Sequence, residues 1–137
     1  MRIFLDTNVI MDTLIEGRPS SEASAKIAEL AKGNDFRVSV SALSLADAAY
    51  SIRRFYNKGI IKDTMDSLRR RWRVLSLNEY NIYDAINSEC PDFEDAIQIS
   101  IAEGDCDVIV TNNTGHFKDY TALEVVTPQE FLDKVLI

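Results

Sequence analysis

The sequence predicts an α/β fold: three layers, α/β/α, around a central, mainly parallel sheet of four to five strands. Three observations carry this. Short apolar segments bounded by polar residues recur along the chain at 2–6, 36–40, 73–75, 107–111 and 123–126. Between them, apolar residues return at helical spacing. No Gly/Ser/Pro-rich linker, repeat or low-complexity stretch divides the 137 residues, a usual size for one core, so the whole of 1–137 is expected to form a single domain.

In order, Arg2-Ile3-Phe4-Leu5 reads as a buried strand that ends at Asp6-Thr7-Asn8. Val9, Ile10, Thr13 and Leu14 then mark a helix that Gly17-Arg18-Pro19 interrupts. Ser20 or Ser21 is placed to cap a second helix with Ala23, Ile27, Leu30 and Ala31 on its apolar face, and Gly33-Asn34 stops it. The segment 36–40 alternates like a strand. A helix is expected over 44–56, closed by Asn57-Lys58-Gly59, and another over 62–71, followed by a short strand at 73–75. Helices near 79–87 and from Asp92 to Gly104 come next, then strands at 107–111 and 123–126. Thr127-Pro128-Gln129-Glu130 opens a last helix with proline in its first position and an acid in its first turn.

Composition narrows the chemistry. With 46% hydrophobic residues the chain can bury a core, which excludes a disordered reading. Runs such as Val108-Ile109-Val110 are far too short to cross a bilayer, and the first residues lack the long apolar stretch of a secretory signal. Cys90 and Cys106 lack Cys-x-x-Cys spacing, and His116 is the one histidine, so a thiolate zinc site fails on ligand count. Two thiols without a pairing pattern suit a reducing compartment, and the cytoplasm is the expectation. The net charge of −7 argues against nucleic-acid binding through bulk electrostatics, but not against acids gathered around a cation. Basic residues concentrate in one stretch that includes Arg53, Arg54, Lys58, Lys62 and Arg69 to Arg71 with Arg73; this reads as a solvated helix surface or as a face for a phosphate backbone.

In parallel sheets, ligands sit at the carboxyl ends of the strands. That rule singles out Asp6 after the first strand, with Thr7 and Asn8 beside it, and Asn112 and Asn113 after the fourth. Asp47 lies among Ala and Leu in the middle helix, where an ionised carboxylate needs a cation or hydrogen-bond donors. Asp95 stands in the first turn of the helix that opens Asp92-Phe93-Glu94-Asp95. Each has an ordinary use: Asp6 and Asp92 as N-caps, Glu94 and Asp95 as complements to the helix dipole, Asp12 as helix surface. Together they belong to ends that such a sheet can bring to one place. Converging carboxylates repel unless a hard cation holds them, and oxygen ligands select Mg²⁺, Mn²⁺ or Ca²⁺.

Phe4-Leu5-Asp6-Thr7-Asn8-Val9, Ser41 to Asp47, Asp92-Phe93-Glu94-Asp95-Ala96 and Val108 to Asn113 follow one another in an order that resembles PIN domains, a family of metal-dependent nucleases. The likeness extends over essentially the whole chain. It implies a PIN-like domain that hydrolyses RNA phosphodiester bonds with Mg²⁺ or Mn²⁺. It also implies that Asp6, Asp47 and Asp95 are catalytic, metal-site acids, with Asn113 as a further ligand. Asn8, Thr111, Asn112, His116 and Asp92 would then serve substrate or support the ligands. Two departures matter: Asp47 stands where Glu is more usual and reaches one methylene less, and Asn113 replaces the aspartate that often closes a Thr-x-Asp pair. The second removes a charge and weakens any second metal position.

The resemblance further implies an endoribonuclease toxin of a toxin–antitoxin pair, with an antitoxin protein that blocks the acidic pocket and a homodimeric assembly, and no membrane partner. Tyr50, Phe55, Tyr56 and Trp72 are expected mainly in the core, with base stacking as the other use. The competing reading is a catalytically weak or inactive PIN-like module that binds RNA or a protein; Asn113 favours it. An aspartate-nucleophile phosphatase is disfavoured, because its usual second acid after the first strand is here Asn8.

Overall fold

Ile3, Phe4 and Leu5 are fully buried, as a strand covered on both faces requires, and this segment is the middle of the sheet. The computed structural model describes residues 1–136. The elements run β1 (Arg2–Leu5), α1 (Thr7–Leu14), α2 (Ser21–Leu30), β2 (Arg37–Ser41), α3 (Ala42–Ile52), α4 (Lys58–Arg71), β3 (Arg73–Leu75), α5 (Glu79–Asn87), α6 (Phe93–Asp105), β4 (Val108–Val110), β5 (Glu124–Val126) and α7 (Pro128–Val135). Five strands form one sheet in the order β3-β2-β1-β4-β5, and every adjacent pair is parallel.

The period-2 alternation of β1 and β4 divides the core. Ile3, Leu5, Val108 and Val110 face one layer, where Val9 and Ile10 of α1, Ile27 of α2, Ile52 of α3, Leu68 of α4 and Phe131 of α7 pack. Phe4 and Ile109 face the other, packed with Ala85 of α5, Ile97 and Ile101 of α6, and Phe117. This is the expected three-layer arrangement. The chain leaves β1 toward β2 on one side and returns through β4 on the other. The crevice beyond the carboxyl ends of β1 and β4 is therefore the switch point where such folds place ligands.

Several boundaries differ from expectation for visible reasons. Helix α3 starts at Ala42 because the Ser41 hydroxyl accepts from Ser44 N at 2.9 Å, and it ends at Ile52. Asn57 does not close that helix; its side chain accepts from Ile60 N at 2.9 Å and opens α4 four residues before the expected start. Neither serine caps α2: Ser20 makes no side-chain capping bond, and Ser21 Oγ donates to the Ile15 carbonyl. Helix α7 follows its sequence signal, with Pro128 in the first turn and a reciprocal Thr127–Glu130 capping box.

The basic stretch is largely a solvated surface. Arg69 and Arg70 pair with Asp66 one turn away, and Arg73 with Asp105. The aromatic expectation is overturned for three residues of four. Tyr50, Phe55 and Tyr56 are exposed, while Trp72 is buried against the core and so is removed from any stacking role.

Candidate active site

Asp6 follows β1 with extended backbone, and its side chain turns back to cap α1 by accepting from Thr7 N at 2.8 Å. The capping role and the site role thus coexist in one carboxylate. Its other oxygen, Oδ2, accepts from Thr111 Oγ1 at 2.8 Å and Asn8 Nδ2 at 3.0 Å. Asn8 is held in turn, its Oδ1 accepting from Asn112 N at 3.0 Å. The Thr7-Asn8 and Thr111-Asn112 segments therefore clamp Asp6 between the ends of β1 and β4. Burial pushes the Asp6 carboxyl above its ordinary range, and the bonds from Thr111, Thr7 and Asn8 oppose that shift.

Beneath this clamp lies a buried polar knot. Gln98 of α6 donates to Ser44 Oγ at 2.6 Å and accepts from Ser41 Oγ at 2.7 Å, and Ser44 bonds to Thr7 Oγ1 at 2.8 Å. It ties α1, α3 and α6 together directly under the crevice. Each of these groups has a partner, so the knot fixes geometry without leaving an unpaired polar atom.

Helix α6 brings the next acids. Asp92 caps it, accepting from Asp95 N at 2.9 Å, which is the ordinary use weighed for that residue. Asp95 then faces the crevice. Desolvation, with the charges of Asp92 and Asp6, raises its carboxyl to about 6. His116 Nδ1 approaches Asp95 Oδ2 at 3.7 Å, too long for a hydrogen bond but close enough for a protonated imidazole to offset part of that rise. Glu94 was read from sequence only as a dipole complement. The neighbouring carboxyl of Asp47 of α3, with desolvation, pushes the Glu94 carboxyl up to about 7. Asp47 is half-buried, and Glu94 is the partner that the sequence did not reveal.

An open cleft of about 430 Å³ is lined by Asp6, Asn8, Arg18, Glu94, Asp95 and Asn113, among others. The structure thus brings Asp6, Asp95, Asn8 and Asn113 to one hollow, with Asp47 reached through Glu94. Asn112 turns away: its side-chain amide donates to Asp12 Oδ2 at 2.8 Å. Asp12 is no helix-surface residue. It is 3% exposed and also accepts from Ser24 Oγ at 3.0 Å and Arg18 Nε at 2.7 Å. Helix α2 packs over this side of α1 and covers it, a tertiary effect invisible in the periodicity of α1 alone.

Oxygen donors dominate the cleft, and crowding has raised the proton affinity of Asp95 and Glu94. That is the chemistry a hard divalent cation relieves. Among the described residues, however, no group of three or more His, Cys, Asp or Glu side chains is arranged to hold a metal ion. The donor set therefore fits a partly hydrated cation held by one or two carboxylates, as Mg²⁺ commonly is, and not a closed protein cage.

The sequence pattern of the PIN domain family matches residues 2–115. No curated protein gives a significant sequence match. Solved structures share the fold. VapBC2 from Rickettsia felis, bound to a DNA fragment from their promoter, superposes with a TM-score of 0.68 at 19% identity, covering 91% of this chain and 97% of that one. VapBC-1 from nontypeable Haemophilus influenzae gives 0.68 at 18% identity over 94% and 99% of the respective chains. FitAcB from Neisseria gonorrhoeae gives 0.66 at 19% identity over 93% and 98%. PIN domains are generally nucleases. With its sequence matched over 114 residues (2 to 115) and the expected sheet and crevice in place, this chain belongs to the PIN domain family.

Proposed function

We propose that the protein is a Mg²⁺- or Mn²⁺-dependent endoribonuclease whose catalytic acids are Asp6, Asp47 and Asp95, with Glu94 acting beside Asp47. The observation that carries this reading is the crowding of carboxyl groups at one cleft with raised proton affinity, Asp95 at about 6 and Glu94 at about 7. Asp6 and Asp95 would hold the cation, Asn113 would add a neutral oxygen, and Asp47 and Glu94 would complete its surroundings. Such a cation, when bound, supplies Lewis-acid chemistry for water attack on a phosphodiester.

The chain's own contribution is placement. Thr111 and Asn8 aim the Asp6 carboxylate, and the Gln98 knot holds α1, α3 and α6 at fixed separation. His116, 65% exposed beside Asp95, would be free to contact a substrate phosphate. Incubated with single-stranded RNA and Mn²⁺ or Mg²⁺, the protein should produce discrete fragments, EDTA should stop it, and Asp6→Asn, Asp47→Asn and Asp95→Asn should each reduce cutting to background in a folded protein. Full activity in all three variants rejects the site.

By likeness to its structural neighbours, the chain is further proposed to act as a single-domain cytoplasmic toxin, silenced by an antitoxin that covers the cleft. Tyr80, Tyr83 and Ile86 of α5, each at least 64% exposed, offer an apolar surface of the kind a second copy covers in a homodimer. Among the described residues no helix is long and apolar enough to cross a membrane. A second reading, an inactive module that binds RNA or protein, draws on Asn113 and on the open donor set. Calorimetric titration with Mn²⁺ separates the two: the enzyme binds the ion and its Asp6→Asn variant does not, whereas the inactive module binds none.

A further inference from the structure

Arg18 lines two hollows at once. One is the acidic cleft; the other, of about 470 Å³, is lined by Asp12, Arg18, Pro19, Ser20, Thr127 and Gln129 with Asn112. The guanidinium thus stands on the ridge between them. Its Nε donates to Asp12 Oδ1 at 2.7 Å, and Asp12 is fixed by Ser24 and Asn112 in a nearly solvent-free position. Gly17, at φ +86°, supplies the left-handed turn that carries Arg18 back over Asp12. Among the described residues, its terminal nitrogens Nη1 and Nη2 make no hydrogen bond, and the side chain keeps 37% exposure. A guanidinium anchored by Nε, with both terminal amino groups free at the edge of an acidic hollow, is preorganised for a fork-like contact to two oxygens of a phosphate.

We propose that Arg18 binds a backbone phosphate of the single-stranded substrate next to the one being cut, directing the strand from the acidic cleft into the neighbouring hollow. The proposal rests on the reading of that cleft as a phosphodiester site and adds the path of the strand. Arg18 is a positioning residue for the substrate. The anchoring bond explains how a cation can sit beside crowded acids without collapsing onto them: its Nε is already committed to Asp12, which Ser24 and Asn112 hold in place.

Two substitutions separate charge from the fork. Arg18→Gln places an amide nitrogen where Nε stood, so it keeps the bond to Asp12 and removes the charge. Arg18→Lys keeps the charge and gives up the planar fork. Binding of a short fluorescent oligoribonucleotide of mixed sequence is measured by anisotropy across a salt series. Ca²⁺ replaces Mg²⁺ or Mn²⁺, and the probe's length is checked afterwards on a gel. Arg18→Gln should weaken binding by about tenfold and make the logarithmic salt dependence shallower by about 0.7, the loss of one single-strand phosphate contact. Arg18→Lys should bind less tightly than native yet keep the native slope. A native slope in Arg18→Gln, a reduced slope in Arg18→Lys, or a native protein that does not bind the probe overturns the proposal. Cleavage rates with Mn²⁺ keep the two readings apart. Cutting by the native protein with an unchanged KM in Arg18→Gln sinks this inference alone, whereas Arg18-dependent binding without cutting sinks the nuclease reading alone.

Discussion

The two ends of the sheet treat charge in opposite ways. At the amino ends of the strands, Arg2 of β1 lies opposite Arg37 of β2, with Arg73 at the start of β3, around a hollow of about 470 Å³. There two of the arginines are neutralised in pairs. Arg2 Nη2 meets Asp107 at 2.9 Å and holds that carboxyl below its ordinary range, and Arg73 meets Asp105 at 3.6 Å. At the carboxyl ends, among the described residues, neither Asp95 nor Glu94 pairs with an arginine or lysine, and they are pushed up to about 6 and about 7. One end has part of its charge settled by neighbours in the same chain. The other leaves its charge for something else to settle, and strongly shifted groups in a crevice are where function is to be sought.

The contrast can be broken first at the clamp. Thr111→Val removes the hydroxyl that donates to Asp6 while keeping volume, and cleavage or Mn²⁺ affinity should fall by about 10–100-fold, as for other residues that orient a ligand. Arg2→Gln at the opposite end should leave both unchanged. Equal effects at the two ends would erase the distinction.

Acidity sharpens it next. The folded-state values of Asp95 and Glu94 lie above their ordinary values of 3.8 and 4.5. Each therefore contributes stability that is fully present below its ordinary value and lost as pH rises from there to about 6 for Asp95 and about 7 for Glu94. Metal-free protein should melt at a falling temperature as pH is raised across that window, and Mn²⁺ should restore the loss at the upper end. Asp107 carries the opposite sign, favouring the folded state above its ordinary 3.8, but it is fully exposed and its share is screened. A melting curve flat with pH in EDTA would show that the acids are already relieved.

Smaller effects follow. Gly17→Ala forces a left-handed backbone on an ordinary residue at a cost of about 1–2 kcal/mol, although the added methyl meets no atom within 4 Å. Denaturant unfolding measures this, and Glu16→Ala in the same loop should show no comparable loss. Arg2→Ala at the paired end should shift the melting point least, and salt should abolish what shift there is.

The fold was legible because its signals are local. The short apolar runs at 3–5 and 108–110, the Thr127-Pro128 opening and the Asp92 cap are each decided by neighbours in sequence. The strand-end rule pointed to Asp6, Asn8 and Asn113, which line one cleft in the structure. Glu94 escaped because its significance is a contact with Asp47, 47 residues away, and its spacing in α6 also suits a helix dipole. Asp12 escaped because only the packing of α2 buries it, and Arg18 because a turn signal conceals where the side chain is anchored. Tyr50, Phe55 and Tyr56 misled because large aromatics resemble core, whereas Tyr50 sits on the exposed face of α3 and the other two follow its end at Ile52.

The account stands on the carboxyl end of the sheet taking up a divalent cation. A crystal soaked in Mn²⁺ and measured at the manganese edge tests this directly. It predicts an anomalous peak within ligating distance of Asp6 and Asp95, on the side of the cleft that Glu94 and Asp47 share. A map with no peak in that cleft, or with manganese bound only elsewhere on the surface, would contradict it.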